Sequence, residues 1–315
     1  MKRALITGIS GQDGSYLAEL LLKKNYEVHG LIQTTSSRTF IADIQSELAL
    51  HEGSLQDSSS LEKLIQTTKP DELYHFAGSS FYKYSFAEEA DVIQNNFTST
   101  HRLLGALKEH APDCRFFFAG SAEMFGTPAS SPQNEETPFM PHTIYSVTKV
   151  ASHGLIRYYR ENHGIFGATG ILFNHESPRR GAQFVTRKIS STVAKIKRGK
   201  ERKLVLGSLE TVRDWGYAPD FVEAAWLMLQ QESPSDFVIA TGIPHTIRDF
   251  VDKAFRCVDL DYREYVETDE KLSRTPEKVP RVGDVSKARS QLKWSPKKGF
   301  DAMVAEMVEA DLESG

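Results

Sequence analysis

The chain predicts an α/β fold, a doubly wound parallel sheet followed by a smaller α/β part. Three observations lead there. Through the first 173 residues short apolar runs alternate with stretches of helical period. Such alternation marks parallel strands joined by crossover helices. The first run, Ala4-Leu5-Ile6-Thr7, leads at once into Gly8, Gly11 and Gly14 at three-residue spacing. Beyond residue 173 the pattern loosens into shorter elements.

In order, Ala4–Thr7 is long enough for a buried strand and too short for a helix. The glycines allow a tight turn and the close approach of a ligand or another backbone. Tyr16, Leu17, Leu20, Leu21 and Leu22 then recur at helical spacing, with Asp13 or Ser15 as a cap. A helix N-terminus offers free N–H groups and partial positive charge, which suits a pyrophosphate. Strand, glycine turn and helix together match the Rossmann dinucleotide pattern, although a turn with three convenient glycines gives the same local signal.

Tyr26 to Ile32 reads as the second strand. NAD-binding folds place an acid near its end, on the ribose hydroxyls. Here Gln33, Thr34 and Thr35 follow, then Ser36, Ser37 and Arg38. That set favours a 2′-phosphate, hence NADP, with NAD as the other option. Asp57 to Lys69 reads as a helix, Glu72 to Gly78 as a strand, Thr98 to His110 as a helix and Arg115 to Gly120 as a strand. Ser121 and Glu123 follow that strand's carboxyl end, where ligands of such sheets bind. Residues 127–143 are rich in Pro, Ser and Glu and read as a loop. Tyr145 to about Tyr159 is the next helix, and Gly167 to Phe173 the next strand. Residues 1–173 thus form the cofactor domain, to which segments near 211–235 return. Residues 174–315 form mainly a discontinuous substrate domain, with a helix near 187–198 and strands near 203–206 and 236–240, and with Leu292 to Pro296 and Phe300 to Leu312 closing the chain.

Composition narrows the function. The chain has 315 residues, is 40% hydrophobic and carries net charge −4. No general attraction to nucleic acid follows. The basic run Lys195 to Lys203 reads as a solvated helix end. Two distant cysteines, Cys114 and Cys257, make neither a disulfide framework nor a zinc signature, so no metal is expected and a cytoplasmic setting is. No run of about 18 apolar residues suggests a membrane span. Met1-Lys2-Arg3 leads straight into the first strand, leaving no room for a signal peptide.

Tyr145-Ser146-Val147-Thr148-Lys149 places a phenol and an ammonium at i and i+4, on one helix face. A nearby ammonium stabilises the phenolate and makes tyrosine a usable base near neutral pH. Such a tyrosine takes a proton from a sugar hydroxyl as hydride leaves for nicotinamide. By itself the pair also fits an incidental surface contact.

With the glycine turn and Ser121, this pair resembles the extended short-chain dehydrogenase/reductases. The finer resemblance is to the GDP-mannose 4,6-dehydratase family. It rests on Ala4 to Val28, Gly170 to Gly181 (GILFNHESPRRG), Phe184 to Ile189, Arg213-Asp214-Trp215-Gly216, Asp236 to Gly242 and Trp294-x-Pro296, over nearly the whole chain. The resemblance implies a hydro-lyase in which Tyr145 deprotonates the hydroxyl on sugar carbon 4. Glu123 would remove the proton on carbon 5 and help water leave from carbon 6. Ser121, where the family usually has Thr, would hydrogen-bond the reacting oxygen, and Lys149 would hold the nicotinamide ribose. Gly8, Gly11, Gln12, Asp13, Gly14, Arg38, Leu55 and Ala77 would contact the cofactor. Ser85, Asn174, Val185, Lys188, Arg213 and Arg274 would contact the GDP-sugar. Family members pair through helices that include Thr98–His110 and Tyr145–Tyr159, implying a homodimer or homotetramer, with Leu103, Leu104, Tyr158 and Tyr159 on the apolar face. The alternative is an NADP-dependent reductase or epimerase on a related GDP-sugar. Several positions depart from the family: Gln33 and Thr34 replace two arginines, Ser54 replaces Asp, Ser79-Ser80-Phe81 replaces Gln-Ser-His, and the chain is short around 259–275.

Overall fold

The computed structural model describes residues 1–79, 85–272 and 279–314. Its centre is a seven-stranded parallel sheet. The strands are β1 (Arg3–Thr7), β2 (Glu27–Ile32), β3 (Leu48–Glu52), β4 (Glu72–His75), β5 (Arg115–Ala119), β6 (Gly167–Leu172) and, much later, β10 (Phe237–Ile239). Their order is β10-β6-β5-β4-β1-β2-β3. All six neighbouring pairs run parallel. The predicted doubly wound sheet is therefore present.

Both faces of this sheet are covered, which is why its strands read as unbroken apolar runs. Ala4, Ile6, Tyr74 and Phe117 enter one core, shared with α1 (Gln12–Lys23) and α7 (Ala218–Met228). Leu5, Leu73, Phe116 and Phe118 enter the other, with α2 (Ser58–Thr68), α4 (Ser99–His110) and α5 (Ile144–His163). Leu103, Leu104 and Tyr159 belong to that second core, so of the four residues expected on a dimer face only Tyr158, half exposed, is free for it.

Among the strands and α-helices of the first 173 residues, two escaped the sequence reading. β3 is a short, half-buried edge strand without clear alternation. The helix α3 (Phe86–Ile93) buries only Val92, so it shows no apolar period. A capping box between Ser85 and Glu88 starts it, and a π-turn at Gln94–Thr98 carries it into α4.

After β6 the chain leaves the sheet. β7 (Asn174–Glu176) pairs in parallel with β9 (Val212–Tyr217), which pairs antiparallel with β11 (Pro244–Thr246). β8 (Leu204–Leu206) pairs with β12 (Val266–Thr268). The helices α6 (Val185–Lys197), α8 (Ile247–Arg256) and α9 (Phe300–Glu313) enclose a third core around Trp215, Phe250, Phe255 and Met307. The return to the first sheet reaches past residue 235, because β10 pairs with β6. The strand near 236–240, grouped from sequence with the second part, is the seventh strand of the first. In the basic run, Lys197, Arg198 and Lys203 donate to backbone carbonyls of Val258, Leu312 and Glu264. Among the described residues no helix is long and apolar enough to cross a membrane.

Candidate active site

The glycine turn lies between β1 and α1. Gly8 has φ +76°, and a Cβ there would stand 2.9 Å from the Ala77 nitrogen. A Cβ on Gly14 would stand 2.2 Å from the Gly8 carbonyl oxygen. Both positions thus require glycine, and the turn closes with Gly11 N–H donating to the Gly8 carbonyl at 3.0 Å. Gly11 is the N-cap and no side chain caps the helix. Asp13 and Ser15 do not serve as caps: Ser15 Oγ donates to the Gln12 carbonyl, and Asp13 binds His175. The uncapped first turn leaves backbone donors for an anionic ligand, and these residues fit the pyrophosphate of a dinucleotide.

The α5 helix brings Tyr145 and Lys149 to the same end of the sheet. Thr143 and Ser146 form its capping box. The Lys149 ammonium is 5.7 Å from the Tyr145 ring centroid and 4.7 Å from that of Phe118. It donates to the Ala119 carbonyl at 2.7 Å. Burial pushes the Lys149 pKa down to about 8, leaving it largely cationic near neutral pH. A cation so placed favours the phenolate form of a neighbouring phenol.

Beyond β5, Ser121 caps a short 3₁₀ turn over Ala122–Phe125, its Oγ accepting from the Glu123 N–H at 3.2 Å. This turn sets Glu123 at the edge of the cavity. Its Oε1 lies 2.6 Å from Nη1 of Arg281, a residue with no signal in the sequence.

The facing wall comes from β7 and the loop after it. His175 Nδ1 donates to the Phe173 carbonyl at 2.7 Å, and Nε2 donates to Asp13 Oδ2 at 3.0 Å. Both nitrogens face acceptors, which favours the doubly protonated ring. Burial is the largest influence on both partners and opposes their charges. Pairing outweighs it, raising the His175 pKa and lowering that of Asp13. Ser177 Oγ donates to Gln12 Oε1 at 2.8 Å, and Arg179 reaches Ser15 at 3.0 Å and Glu19. The loop is thereby laced to α1.

Thirteen of the expected site residues share one cavity of about 640 Å³. From the first part these are Gly8, Gly11, Gln12, Asp13, Gly14, Ser121, Glu123, Tyr145 and Lys149. From the second they are Asn174, Val185, Lys188 and Arg213. Val185 opens α6, whose N-terminus gives onto this space. Lys188 donates to the Val205 carbonyl at 2.7 Å. Four further expected contacts are not part of its lining. Arg38 is bridged to Glu52 at 3.2 Å. Leu55 packs on the second core. Ala77 supports the turn, its N–H donating to the Thr7 carbonyl. Ser85 caps α3. Arg274 is outside the described residues. His175, Arg179 and Arg180 also line the cavity and were within reach, since the Asn174–Gly181 stretch contains them.

The arrangement combines an uncapped glycine turn with a phenol, Tyr145, and a carboxylate, Glu123, on separate elements. The family model for GDP-mannose 4,6 dehydratase matches residues 5–307. The chain belongs to the GDP-mannose 4,6-dehydratase family. The resemblance read from the sequence motifs is borne out across nearly the whole length. A relative from Arabidopsis thaliana, GDP-mannose 4,6 dehydratase 1, is 46% identical over 99% of this chain and 90% of its own. Among solved structures, dTDP-glucose 4,6-dehydratase from Bacillus anthracis in complex with NAD superposes with a TM-score of 0.87 at 19% identity, covering 100% of this chain and 97% of that one. RMD from Pseudomonas aeruginosa, complexed with NADPH, gives 0.86 at 21% identity and covers 99% of each. For the dehydratase family these two carry the fold alone.

Proposed function

We propose that this family member is a hydro-lyase that converts GDP-mannose to GDP-4-keto-6-deoxymannose. The observation that carries the reading is the meeting of Tyr145, Lys149 and Glu123 with the glycine cradle in one cavity. A bound nicotinamide cofactor supplies a hydride acceptor and returns the hydride later. Tyr145, with Lys149 beside it, takes the proton from the hydroxyl on carbon 4. Ser121 hydrogen-bonds that oxygen. The ketone so formed acidifies carbon 5. Glu123 takes the proton there, and the C–H electron pair forms the bond to carbon 6 as the C–O bond breaks. The proton leaves with the hydroxide as water. When the hydride is returned to carbon 6, Tyr145 gives the proton it holds to carbon 5, so the net change is the loss of one water. Asn174, Val185, Lys188, Arg213 and Arg274 hold the nucleotide diphosphate, where arginine's fork suits paired phosphate oxygens. Division into a cofactor part and a substrate part across the cavity follows the same reading.

NADP is the cofactor we propose in preference to NAD. No acid follows β2 to hold a free 2′-hydroxyl. The Arg38–Glu52 pair is exposed on both sides, so a phosphate displaces the carboxylate at little cost. Tighter binding of NAD⁺ in a parallel titration would reverse this choice. The setting we propose is cytoplasmic.

The test is direct. Incubation with GDP-mannose and trace NADP⁺ should give a sugar lighter by one water. Glu123→Gln should still allow the first hydride transfer, so reduced cofactor accumulates while release of dehydrated sugar nearly stops. Normal turnover by Glu123→Gln would remove Glu123 as the base.

A further inference from the structure

We propose that Arg281 is a positioning residue for Glu123, required for the elimination and dispensable for the hydride transfer that precedes it. The inference rests on the assignment of Glu123 as the base at carbon 5. Glu123 lines the cavity and its side chain keeps 30% of its exposure, whereas Arg281 keeps 4% and is absent from the lining. The guanidinium thus stands behind the carboxylate, 2.6 Å from Oε1, away from where substrate lies.

Its own place is fixed from two sides. Gln133, fully buried, accepts the Val282 N–H on its side-chain oxygen at 3.0 Å. Its amide group donates to the Pro280 carbonyl at 3.2 Å. The backbones exchange two further bonds, Gln133 N–H to Val282 at 2.8 Å and Asp284 N–H to Gln133 at 2.7 Å. On the other side the Gly283 N–H donates to Asp214 at 3.2 Å. A parallel bridge sets Arg281 beside Arg213, which does line the cavity. The segment therefore holds a cation rigidly against the carboxylate.

The chemistry asks for such a partner. Glu123 must begin as the anion, accept the carbon-5 proton, and then give it up to the departing hydroxide. A guanidinium at hydrogen-bond distance favours the anion at the start. It also makes the protonated acid readier to release its proton. A fixed partner holds the oxygen that faces substrate in one place. No earlier step uses Glu123, so removal of Arg281 should leave the first hydride transfer intact.

The experiment compares Arg281→Leu and Arg281→Lys in the full chain, with GDP-mannose and stoichiometric NADP⁺. The first readout is the rate at which reduced nicotinamide absorbance appears. The second is the rate at which dehydrated sugar is released. In Arg281→Leu the first rate should stay within about threefold, and the second should fall about a hundredfold, as loss of general base catalysis does. Arg281→Lys should recover part of the second rate. It also keeps the test alive if the leucine variant does not fold. The double variant Glu123→Gln/Arg281→Leu should be no slower than Glu123→Gln alone, because the two act as a unit. Unchanged sugar release in both Arg281 variants overturns the proposal. An equal loss of both rates also overturns it, since that is what a general structural role gives. If Glu123→Gln itself turns over normally, the assignment of the base fails, whichever way the Arg281 variants behave.

Discussion

Tyr145→Phe removes a single oxygen and should lower turnover by about 10² to 10⁴, the usual contribution of a general base. Cofactor binding should be unchanged, because Lys149 keeps its bond to the Ala119 carbonyl. Steady-state kinetics beside a fluorescence titration of NADPH checks both halves, and near-normal turnover would refute the role. At this scale legibility follows sequence distance. Tyr145 and Lys149 announce themselves because four residues on a helix make neighbours. Arg281 meets Glu123 only through the folded chain, and nothing local to either residue signals it. Arg38 follows β2 and stood out by that position, whereas its partner Glu52 ends β3, a strand the sequence did not reveal.

At the scale of elements, the lacing of β7 to α1 holds the two walls of the cavity together. His175→Ala would leave the Asp13 carboxylate without its buried cation, and should destabilise the protein by about 3–5 kcal/mol. Urea denaturation would measure the loss, and a difference under about 1 kcal/mol would show that the pair is structurally idle. The pair also sets a pH dependence. His175 has a raised pKa in the folded state, so its contribution is complete below 6.5, its ordinary value, and is lost as pH rises through the raised one. Asp13 has a lowered pKa, so its contribution is present above 3.8 and is lost as pH falls through the lowered one. The stability difference between the native protein and His175→Ala should therefore be flat between those limits and shrink on either side. The strong periodic elements α2 and β6 were read with nearly the right ends, and α5 runs a turn beyond its expected end at Tyr159, to His163. β3 and α3 were not read, because a half-buried edge strand and a helix with one buried side chain carry little pattern.

At the scale of the whole molecule, Phe86 and Ile93 on α3 and Val147 and Tyr158 on α5 leave large apolar side chains exposed, Phe86 at 90%. α3 and α5 pack together, so a partner covering both would bury them. We propose that a second copy of the chain does so, giving at least a homodimer. Light scattering at micromolar concentration should report twice the chain mass, and Phe86→Glu with Val147→Glu should halve it while circular dichroism is unchanged. A monomeric native protein would end this reading.

The late position of β10 bears on how the chain is made. Glycine turn, tyrosine and lysine have all been synthesised by residue 173, but β6 has no outer neighbour until Phe237–Ile239 emerges. At about 5–20 residues per second, a ribosome takes several seconds to cover that interval. During it the nascent sheet presents an unpaired apolar edge, a template for pairing with another chain. The last strand acts as a closing seam, and a stalled or truncated product that stops before it would carry the chemical groups on an unfinished, adhesive sheet.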